Sequence, residues 1–363
     1  MKIIKLNILI VLLMFTCQKI QSQEQVTSNK VVKNLLGTEI SIDSIHNFIK
    51  SNMKTSNVQG VSFAIINDGE IAHHFINGYA DLENKKLVTD KTIFESASLS
   101  KPLFAYFTMT FVEEGVLELD VPLYKYLPYE DIAYDDRYKK ITARMVLSHT
   151  TGFPNWRPEE DNSKLTIQFD PGTTFGYSGE GYQYLAKVLA YIVGTDDRGL
   201  EALYQKRIAM PLHLKYTKFI QDDYNLKHKS KGYKNGKTIK GNDDPAVFGA
   251  AYSMHSEAID FSKWLIALMN KKGLSKKSFD MLFEAQVSLP ENSQHRQQGI
   301  TDWTLGFAKA TLPFGTIYGH GGNNIGFTSL IALNNEKKWG FVMFTNEDQS
   351  TLPLQLLMYI NGK

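Results

Sequence analysis

Cysteine is almost absent from this sequence: among 363 residues there is one, Cys17, close to the N-terminus. A disulfide, a thiol nucleophile and a thiolate metal site therefore cannot be built from the rest of the chain. An excess of charge is lacking too, because 40 Lys and Arg residues stand against 38 Asp and Glu residues, a formal net charge of +2. So small an excess argues against nucleic acid as a partner.

Long hydrophobic runs are missing as well. The apolar run Ile8–Phe15 has eight residues, whereas a membrane-spanning helix needs about twenty, and no later segment predicts a transmembrane span. Lys2 and Lys5 precede the run and a polar stretch begins at Cys17, an arrangement typical of a secretory signal. We therefore expect an exported protein, periplasmic or secreted.

The N-terminal segment sets the domain boundaries. We interpret residues 1–22 as a signal peptide, residues 23–38 as a polar leader and residues 39–363, which have ordinary globular composition, as one large domain. Ser22 is small enough to precede a cleavage site. In the alternative, Cys17 is the lipid-modified first residue of a membrane-tethered lipoprotein, although the residues before it resemble a lipobox only weakly.

The segment after Ser41 predicts a helix followed by two strands. Its apolar residues first follow helical spacing. Two apolar runs, Val58–Ile66 and Ile71–Tyr79, then flank the pair Asp68-Gly69. Asp-Gly between two apolar runs is a strong signal for a β-hairpin.

The C-terminal part of the chain returns to a strand pattern. Short apolar runs separated by Gly and Asn extend over residues 303–345, and residues 352–360 predict a closing helix. Helical periodicity prevails in between. We therefore expect an α+β fold, in which an antiparallel sheet is built from both chain ends and flanked by helices, with a mostly helical subdomain inserted at about residues 105–250.

A lysine-rich stretch lies near the end of this insert. Six lysines occur between Lys227 and Lys240, among Asn, Gly and Asp residues. We interpret the stretch as a solvated insertion loop in preference to a surface that contacts substrate.

We expect a nucleophile and its base in the segment Ser98-Leu99-Ser100-Lys101. If Ser98 begins a helix, Lys101 lies on the same helix face, within reach of the serine hydroxyl. A serine hydroxyl is a poor nucleophile until a base takes its proton, and a buried lysine with a lowered pKa can act as that base. The alternative is an ordinary helix cap beside a surface lysine.

Two further segments carry candidate residues. Tyr177 follows a Pro-Gly turn and precedes a predicted helix, so it occupies a loop able to reach into a cleft. His320 is followed by Gly321-Gly322, where paired glycines let a substrate approach the backbone closely. Ser, Lys, Tyr and His from separate segments are the residues that a serine acyl-transfer site would gather.

Several motifs occur in one consistent order along the chain. They are an S-x-x-K segment, a G-x-L-x-L-D stretch, an L-S-H-T-S-G signature, a P-G-x-x-F-x-Y-S run and the final strand motifs, found here at Ser98–Lys101, Gly115–Asp120, Leu147–Gly152, Pro171–Ser178, Leu305–Phe307 and Gly319–Gly322. In these motifs and their order, the chain resembles the serine β-lactamase-related hydrolases from about Ser41 to Asn361. That family includes class C β-lactamases, D-alanyl-D-alanine carboxypeptidases, esterases and D-amino-acid peptidases, and implies a β-lactamase/transpeptidase-like fold.

The resemblance implies a role for each candidate residue. Ser98 would attack the carbonyl carbon, and Lys101 and Tyr177 would share the role of base, the tyrosine with its pKa lowered by the nearby ammonium. The backbone N–H groups of Ser98 and Asn323 would form the oxyanion hole. His320 stands where many members of the family have lysine. The substrate would lie along Gly179, Gly321, Gly322 and Asn323.

The chain departs from the family pattern at two of these positions. Gly179 replaces the asparagine of the usual Y-x-N triad, which removes an amide that would hold a substrate carbonyl. His320 weakens the anchoring of a substrate carboxylate, because a neutral imidazole has no full positive charge, and its protonation would make activity pH-dependent between about pH 5 and 8. Both departures favour an ester or a less anionic amide as substrate.

Other residues have structural interpretations beside functional ones. His149 is expected to hold a loop by hydrogen bonds. His73 and His74 face opposite sides of a strand, so a single ion cannot readily take both, and we predict no metal and no cofactor. Three aromatic residues are candidates either for the substrate pocket or for the core: Phe153, Trp156 and Tyr318.

The sequence therefore predicts an exported serine hydrolase that cleaves an ester or amide bond in a small-molecule or peptide substrate. A D-Ala-D-Ala carboxypeptidase and a weak class C β-lactamase are alternatives within the same chemistry. A non-catalytic module resembling a penicillin-binding protein is the alternative of another class, and the intact set of Ser98, Lys101 and Tyr177 argues against it.

Overall fold

The computed structural model of the protein describes residues 30–158, 164–239, 246–313 and 315–362. The predicted signal peptide with Cys17 lies outside the described residues, as does the first part of the predicted leader, so export and the lipid anchor stay predictions. No helix within the described ranges is both long enough and apolar enough to cross a membrane.

Strands dominate the two ends of the chain and helices dominate its middle. The strands are β1 (Val31–Lys33), β2 (Glu39–Ser41), β3 (Gly60–Asn67), β4 (Glu70–Asp81), β5 (Lys86–Leu87), β6 (Phe94–Glu95), β7 (Gly232–Lys234), β8 (Lys237–Ile239), β9 (His255–Ser256), β10 (Val287–Ser288), β11 (Asp302–Trp303), β12 (Ala308–Leu312), β13 (Gly315–Asn324), β14 (Phe327–Asn334) and β15 (Trp339–Thr345). The α-helices are α1 (Ile42–Thr55), α2 (Ser100–Glu113), α3 (Ala143–Leu147), α4 (Gly179–Ile192), α5 (Asp197–Tyr204), α6 (Asp223–His228), α7 (Ala258–Met269), α8 (Lys276–Phe283), α9 (Gln294–Gln297) and α10 (Leu352–Ile360).

A nine-stranded antiparallel sheet joins the two ends of the chain. Its strand order is β10-β11-β12-β13-β14-β15-β3-β4-β5, and the junction is the pairing of β15 with β3, in which Val342 lies opposite Ala64. Every residue of β15 is buried, as are all but the last of β3, because helices cover both faces of these central strands. The predicted α+β fold and the sheet built from both chain ends are confirmed.

The side chains of β3 alternate between two apolar cores, as the pleat of a strand requires. Phe63 and Ile65 pack with residues of α1 and α10 on one face of the sheet. Ala64 and Ile66 belong to the larger core on the other face, which contains α2, α4 and α7. The catalytic candidates on α2 therefore lie on the opposite side of the sheet from α1.

The predicted helical insert contains helices α3 to α6 and also the hairpin β7–β8, and helices α7 to α9 follow beyond residue 250. Thr142 caps α3, since its hydroxyl accepts a hydrogen bond from the N–H of Met145 at 3.2 Å. The bounds of the insert and of the whole domain stay predictions.

The lysine-rich stretch is solvated only in part where it is described, because three of its lysines are exposed but other residues of the stretch are built into the fold. Lys229 is nearly buried, and its Nζ lies 2.6 Å from Oε1 of the buried Glu95. Tyr233 on β7 is 1% exposed and its N–H donates to the carbonyl of Asn346 at 3.1 Å. The hairpin thus packs against the end of the sheet, and its lysines reach acidic residues there.

Gly306, in the predicted Leu-Gly-Phe motif, allows a loop backbone to lie directly against α2. Its φ is +92°, and a Cβ at this position would be 2.7 Å from Cβ of Ala105 and 3.2 Å from Cα of Pro102. Its N–H donates to the carbonyl of Leu147 at 2.9 Å. The Gly306 loop therefore contacts α2 within one helical turn of Lys101 and helps to hold the helix in place.

We expect Gly306→Ala to destabilise the protein more than the control Gly115→Ala. Both glycines have positive φ, at which alanine costs about 1 kcal/mol or more, but around Gly115 nothing lies within 4 Å of an added Cβ. Collision with α2 should add about 1–3 kcal/mol at position 306 alone. Urea unfolding measures both losses, and equal losses would show that the contact with α2 contributes nothing.

Candidate active site

Ser98 lies in a tight 3-10 turn, Ala97–Leu99, that leads into α2. Ala97 is buried and has a φ of +50°, a conformation that non-glycine residues rarely adopt and that surrounding contacts must hold. Ser100 provides such contacts: its Oγ donates to the carbonyl of Ala97 at 2.6 Å and accepts from the N–H of Met254 at 3.0 Å. The half-buried Ser98 is thereby held in one orientation.

Lys101 reaches Ser98 from inside the protein. Its side chain is 1% exposed, and its Nζ lies 3.1 Å from Oγ of Ser98 and 2.9 Å from the carbonyl oxygen of Ala251. Burial lowers the pKa of the Lys101 amine to about 7, because removal from water penalises the charged form. The predicted Ser–Lys contact is present, and near neutral pH a large fraction of the amine is unprotonated.

Tyr177 stands on the other side of the same serine. Nζ of Lys101 lies 4.6 Å from the centre of its ring. Burial raises the pKa of the Tyr177 phenol above its usual value, and the neighbouring Ser98 side chain opposes that shift only in part. The expectation that the ammonium would lower this pKa is wrong, because desolvation of the phenolate outweighs every other influence.

His149 holds the loop that carries Tyr177, as expected. The N–H of Ser178 donates to its Nδ1 at 3.0 Å, and its ring lies 4.3 Å from the Tyr177 ring, centre to centre. Burial and the nearby Lys101 hold the pKa of His149 well below its usual range. The ring is therefore neutral, and because Nδ1 accepts a hydrogen bond the proton is assigned to Nε2.

His320 lies on β13 with 4% of its surface exposed. Its Nδ1 is 2.6 Å from the carbonyl oxygen of Gly321, and its ring is 6.0 Å from that of Tyr177. Burial first and Lys101 second lower the pKa of His320 to about 3. The expectation of a His320 titration between about pH 5 and 8 is therefore wrong, and the imidazole is neutral throughout that range.

The strand after His320 lies against the turn that carries the nucleophile. A Cβ on Gly322 would be 2.5 Å from the carbonyl oxygen of Ser96 and 3.1 Å from the backbone nitrogen of Ser98, so only glycine allows this approach. A Cβ added to Gly321 would have no atom closer than 4.0 Å. Of the predicted substrate-binding residues, Gly322 lies beside the backbone of Ser98.

Asn323 continues the strand, but its side chain turns to other partners. Its Nδ2 donates to Asp348 at 3.0 Å, and its Oδ1 accepts from Thr328 at 3.0 Å and from the N–H of Gln349 at 2.8 Å. Only the backbone of Asn323 is therefore placed to take part in the site.

Gly179, the first residue of α4, lies beneath an aromatic side chain. A Cβ on Gly179 would be 2.6 Å from the Trp156 indole, which is 45% exposed. The Trp156 ring meets the Tyr252 ring edge-on at 5.6 Å, and Tyr252 directly follows the carbonyl that binds Lys101. The indole thus occupies the space into which a side chain at position 179 would project.

The other two aromatic candidates are structural. Phe153 is 1% exposed and part of the main core, and the Tyr318 ring packs on Phe283 at 4.6 Å. Of the three, Trp156 is the one beside the site.

Sequence reasoning did not single out Trp303. This residue is 3% exposed, and its ring lies 5.2 Å from His149, 5.5 Å from His320 and 6.0 Å from Tyr177. The sequence offered one signal for this residue, namely that Trp303 lies just before the Leu-Gly-Phe motif. Trp303 completes the apolar environment in which burial keeps His149 and His320 neutral.

Metal ligands are not concentrated here. Within the part of the chain that the structure describes, no group of three or more His, Cys, Asp or Glu side chains is placed to hold a metal ion. The arrangement of an alcohol, a buried amine, a phenol and a glycine-lined strand is that of acyl transfer.

The chain is similar in sequence to proteins of two kinds. The chain is 25% identical to Protein flp of Staphylococcus aureus (strain NCTC 8325 / PS 47) in an alignment of 358 positions that covers 89% of this chain and 66% of that protein. It therefore spans slightly less than two thirds of that relative. It is 24% identical to Beta-lactamase of Escherichia coli (strain K12), over 84% of this chain and 89% of that protein.

Solved structures share the fold. A class C beta-lactamase superposes with a TM-score of 0.74 at 19% identity, over 88% of this chain and 95% of that one. The octameric penicillin-binding protein homologue from Pyrococcus abyssi gives a TM-score of 0.73 at 22% identity, over 89% and 78%. The model of the Beta-lactamase family matches residues 45–357, a range that holds the four catalytic candidates. The chain therefore belongs to the beta-lactamase family.

Proposed function

We propose that this protein is a serine hydrolase that cleaves an ester or amide bond through an acyl-enzyme on Ser98. The observation that carries the proposal is the Lys101 amine, buried beside the serine hydroxyl at 3.1 Å. The described ion pairs do not include Lys101, whose Nζ contacts the neutral carbonyl of Ala251. An amine in such surroundings loses its proton readily and can then accept one.

The proposed first step is acylation. Oγ of Ser98 attacks the carbonyl carbon while its proton passes to neutral Lys101, and the carbonyl oxygen takes the negative charge. The backbone N–H groups of Ser98 and Asn323 hold that oxygen, an interaction typically worth about 3–4 kcal/mol for each donor. The close approach of Gly322 to the Ser98 nitrogen brings the two backbone segments together.

The proposed second step uses Tyr177 as a proton donor. Because burial raises the pKa of the phenol, Tyr177 keeps its proton at neutral pH and is poorly suited to act as the base. A protonated phenol beside Ser98 can pass a proton to the leaving oxygen or nitrogen and regain one from Lys101. Water then attacks the acyl-enzyme by the reverse path, which releases the acid and restores Ser98.

The substrate is proposed to be a neutral ester or a weakly anionic amide. His320 is neutral, as its lowered pKa shows, so it supplies no charge for a substrate carboxylate. At Gly179 there is no side-chain amide, and the exposed Trp156 indole occupies that space instead. Apolar surface in place of two polar anchors favours an apolar acyl or alcohol group.

We expect wild-type protein to hydrolyse short-chain p-nitrophenyl esters faster than nitrocefin, and Ser98 to react with a fluorophosphonate probe. Ser98→Ala should abolish labelling and turnover, and Lys101→Ala should lower turnover by several orders of magnitude, because the proton acceptor is lost. Lys54→Ala, at an exposed lysine of α1, is the control and should keep the wild-type rate.

Two outcomes of this experiment would contradict the proposal. Absence of labelling at Ser98 would favour a non-catalytic module that only binds its ligand. Faster turnover of nitrocefin, or release of D-alanine from D-Ala-D-Ala peptides in preference to ester hydrolysis, would instead support a β-lactamase or a carboxypeptidase.

We expect kcat/KM for a neutral ester to rise by about tenfold per pH unit below pH 7 and to level off above it. The reason is the Lys101 pKa of about 7: the base is protonated, and inactive, below that pH. Since the pKa of His320 is about 3, His320→Gln should leave the inflection in place even if it changes the rate. An inflection that moves or disappears in this variant would show that the titration belongs to His320.

We expect Gly179→Asn to impair the enzyme unless Trp156 is shortened at the same time. A Cβ at position 179 meets the indole at 2.6 Å, so the new amide cannot take its place beside the substrate. In Gly179→Asn/Trp156→Ala, the rate with nitrocefin relative to that with p-nitrophenyl butyrate should rise above the ratio of either single variant. If the rate ratio of Gly179→Asn equalled that of the double variant, Trp156 would not be what keeps the new amide away from the substrate.

A further inference from the structure

We propose that Glu95 is a positioning residue, which sets the distance between the two proposed oxyanion donors, the backbone N–H groups of Ser98 and Asn323. Glu95 ends β6, three residues before Ser98, and its side chain binds Asn324, the residue after Asn323. The carboxylate therefore connects the two chain segments that hold the negative oxygen between them. This inference rests on the proposed function, because it assumes acyl transfer at Ser98.

The contact between Glu95 and Asn324 is short and charge-assisted. Nδ2 of Asn324 donates to Oε2 of the buried Glu95 at 2.6 Å. The same Nδ2 lies 3.3 Å from the carbonyl oxygen of Tyr252, one residue beyond the carbonyl that binds Lys101. Both partners of this amide nitrogen are acceptors, which fixes the orientation of the Asn324 side chain. Hydrogen bonds to a buried carboxylate are stronger than bonds between neutral groups, so the contact is a firm link.

Lys229 compensates the charge of the same carboxylate. Its Nζ lies 2.6 Å from Oε1 of Glu95, and the two side chains are 8% and 0% exposed. A buried carboxylate without such a partner would be costly. One oxygen of Glu95 therefore pairs with a cation and the other binds Asn324, so the carboxylate cannot rotate without breaking one of these contacts.

A second contact joins the same two segments at another point. Oγ of Ser329 donates to the carbonyl oxygen of Ser96 at 2.8 Å, and Ser329 lies opposite Gly322 in the pairing of β14 with β13. This bond between neutral groups holds the strand to the nucleophile turn at Gly322. Glu95 holds the strand further along, beyond Asn323, where β13 ends.

The side chain of Asn323 provides a different constraint. It binds Thr328, Asp348 and Gln349, which belong to β14 and to the loop after β15. These contacts stay within the nine-stranded sheet and its loops. Glu95 belongs to the separate two-stranded sheet of β6 and β9, so its bond crosses from the nucleophile segment to the main sheet.

Loss of this link should affect the transition state more than the bound substrate. The oxyanion exists only during the reaction, so its donors stabilise the transition state selectively, and a displacement of about 1 Å can cost about 100-fold in rate. We therefore expect kcat to fall about 10–100-fold, with KM changed by less than about twofold. Affinity for phenylboronic acid should fall by the same factor as kcat, because its adduct with Ser98 has the tetrahedral oxygens of the intermediate.

The test compares two double variants that both lack the buried ion pair. In Glu95→Gln/Lys229→Met an amide oxygen still accepts from Asn324, whereas in Glu95→Leu/Lys229→Met that acceptor is gone. Removal of both charges together avoids a buried charge without its partner. With p-nitrophenyl butyrate, the Gln variant should keep kcat within about threefold of wild type, and the Leu variant should lose about 10–100-fold.

Asn324→Ala tests the same bond from its other end and leaves the pair of Lys229 and Glu95 intact, so it serves if the Leu variant does not fold. It should show the same loss of kcat and of boronic acid affinity. Combined with Glu95→Leu/Lys229→Met, it should add no further loss, because both changes remove one shared interaction.

The outcomes separate this inference from the proposed function. If fluorophosphonate labels wild-type Ser98 but the Leu and Gln variants have equal kcat and equal affinity for the boronic acid, Glu95 does not position the donors and the hydrolase assignment stands. An Asn324→Ala variant with the wild-type kcat would also overturn the inference. Absence of labelling in the wild type would overturn the proposed function and this inference together.

Discussion

The site depends on the burial of one amine. Lys101 is 1% exposed and contacts two neutral oxygen atoms, so nothing among its contacts compensates fully for the loss of water around an ammonium. An isolated buried charge relieves this cost by giving up its proton. The fold contributes by holding α2 against the Gly306 loop, which keeps the amine inside the protein and beside the serine.

The same burial keeps the neighbouring groups neutral. His149 and His320 both have pKa values lowered by desolvation, and for each the second cause is Lys101. If Lys101, His149 and His320 were all protonated, the three positive charges would repel one another strongly in this apolar environment. With both histidines neutral, only the Lys101 amine carries a charge, and this repulsion does not arise. The aromatic residues around the site, Trp303 above all, therefore do more than fill space. In the proposed mechanism, the neutral histidines leave proton transfer to Ser98, Lys101 and Tyr177.

Much of this arrangement could be predicted from local sequence signals. Asp68-Gly69 marked the hairpin of β3 and β4, and the three-residue spacing of Ser98 and Lys101 placed the amine within reach of the hydroxyl. Each of these depends on neighbours in the chain, so the residues themselves carry the information.

The features that could not be predicted depend on contacts between distant segments. The direction of the Tyr177 pKa shift follows from how completely other elements bury the ring. The approach of Trp156 to Gly179 joins two loops, and the pairing of Lys229 with Glu95 joins the insert to the main sheet. Composition suggested a solvated lysine, but Lys229 lies nearly buried beside Glu95. Long-range packing decided these cases.

The charge of the substrate and the strength of the base are coupled through Lys101. A carboxylate bound near the amine would stabilise the ammonium and raise the pKa of Lys101 above its value of about 7 in the free protein. The amine would then hold its proton when Ser98 needs to release one. His320 supplies no separate positive charge for such a carboxylate, because its imidazole is neutral. A neutral substrate leaves the base free to act, so the substitution at His320 and the use of Lys101 as a base favour the same class of substrate.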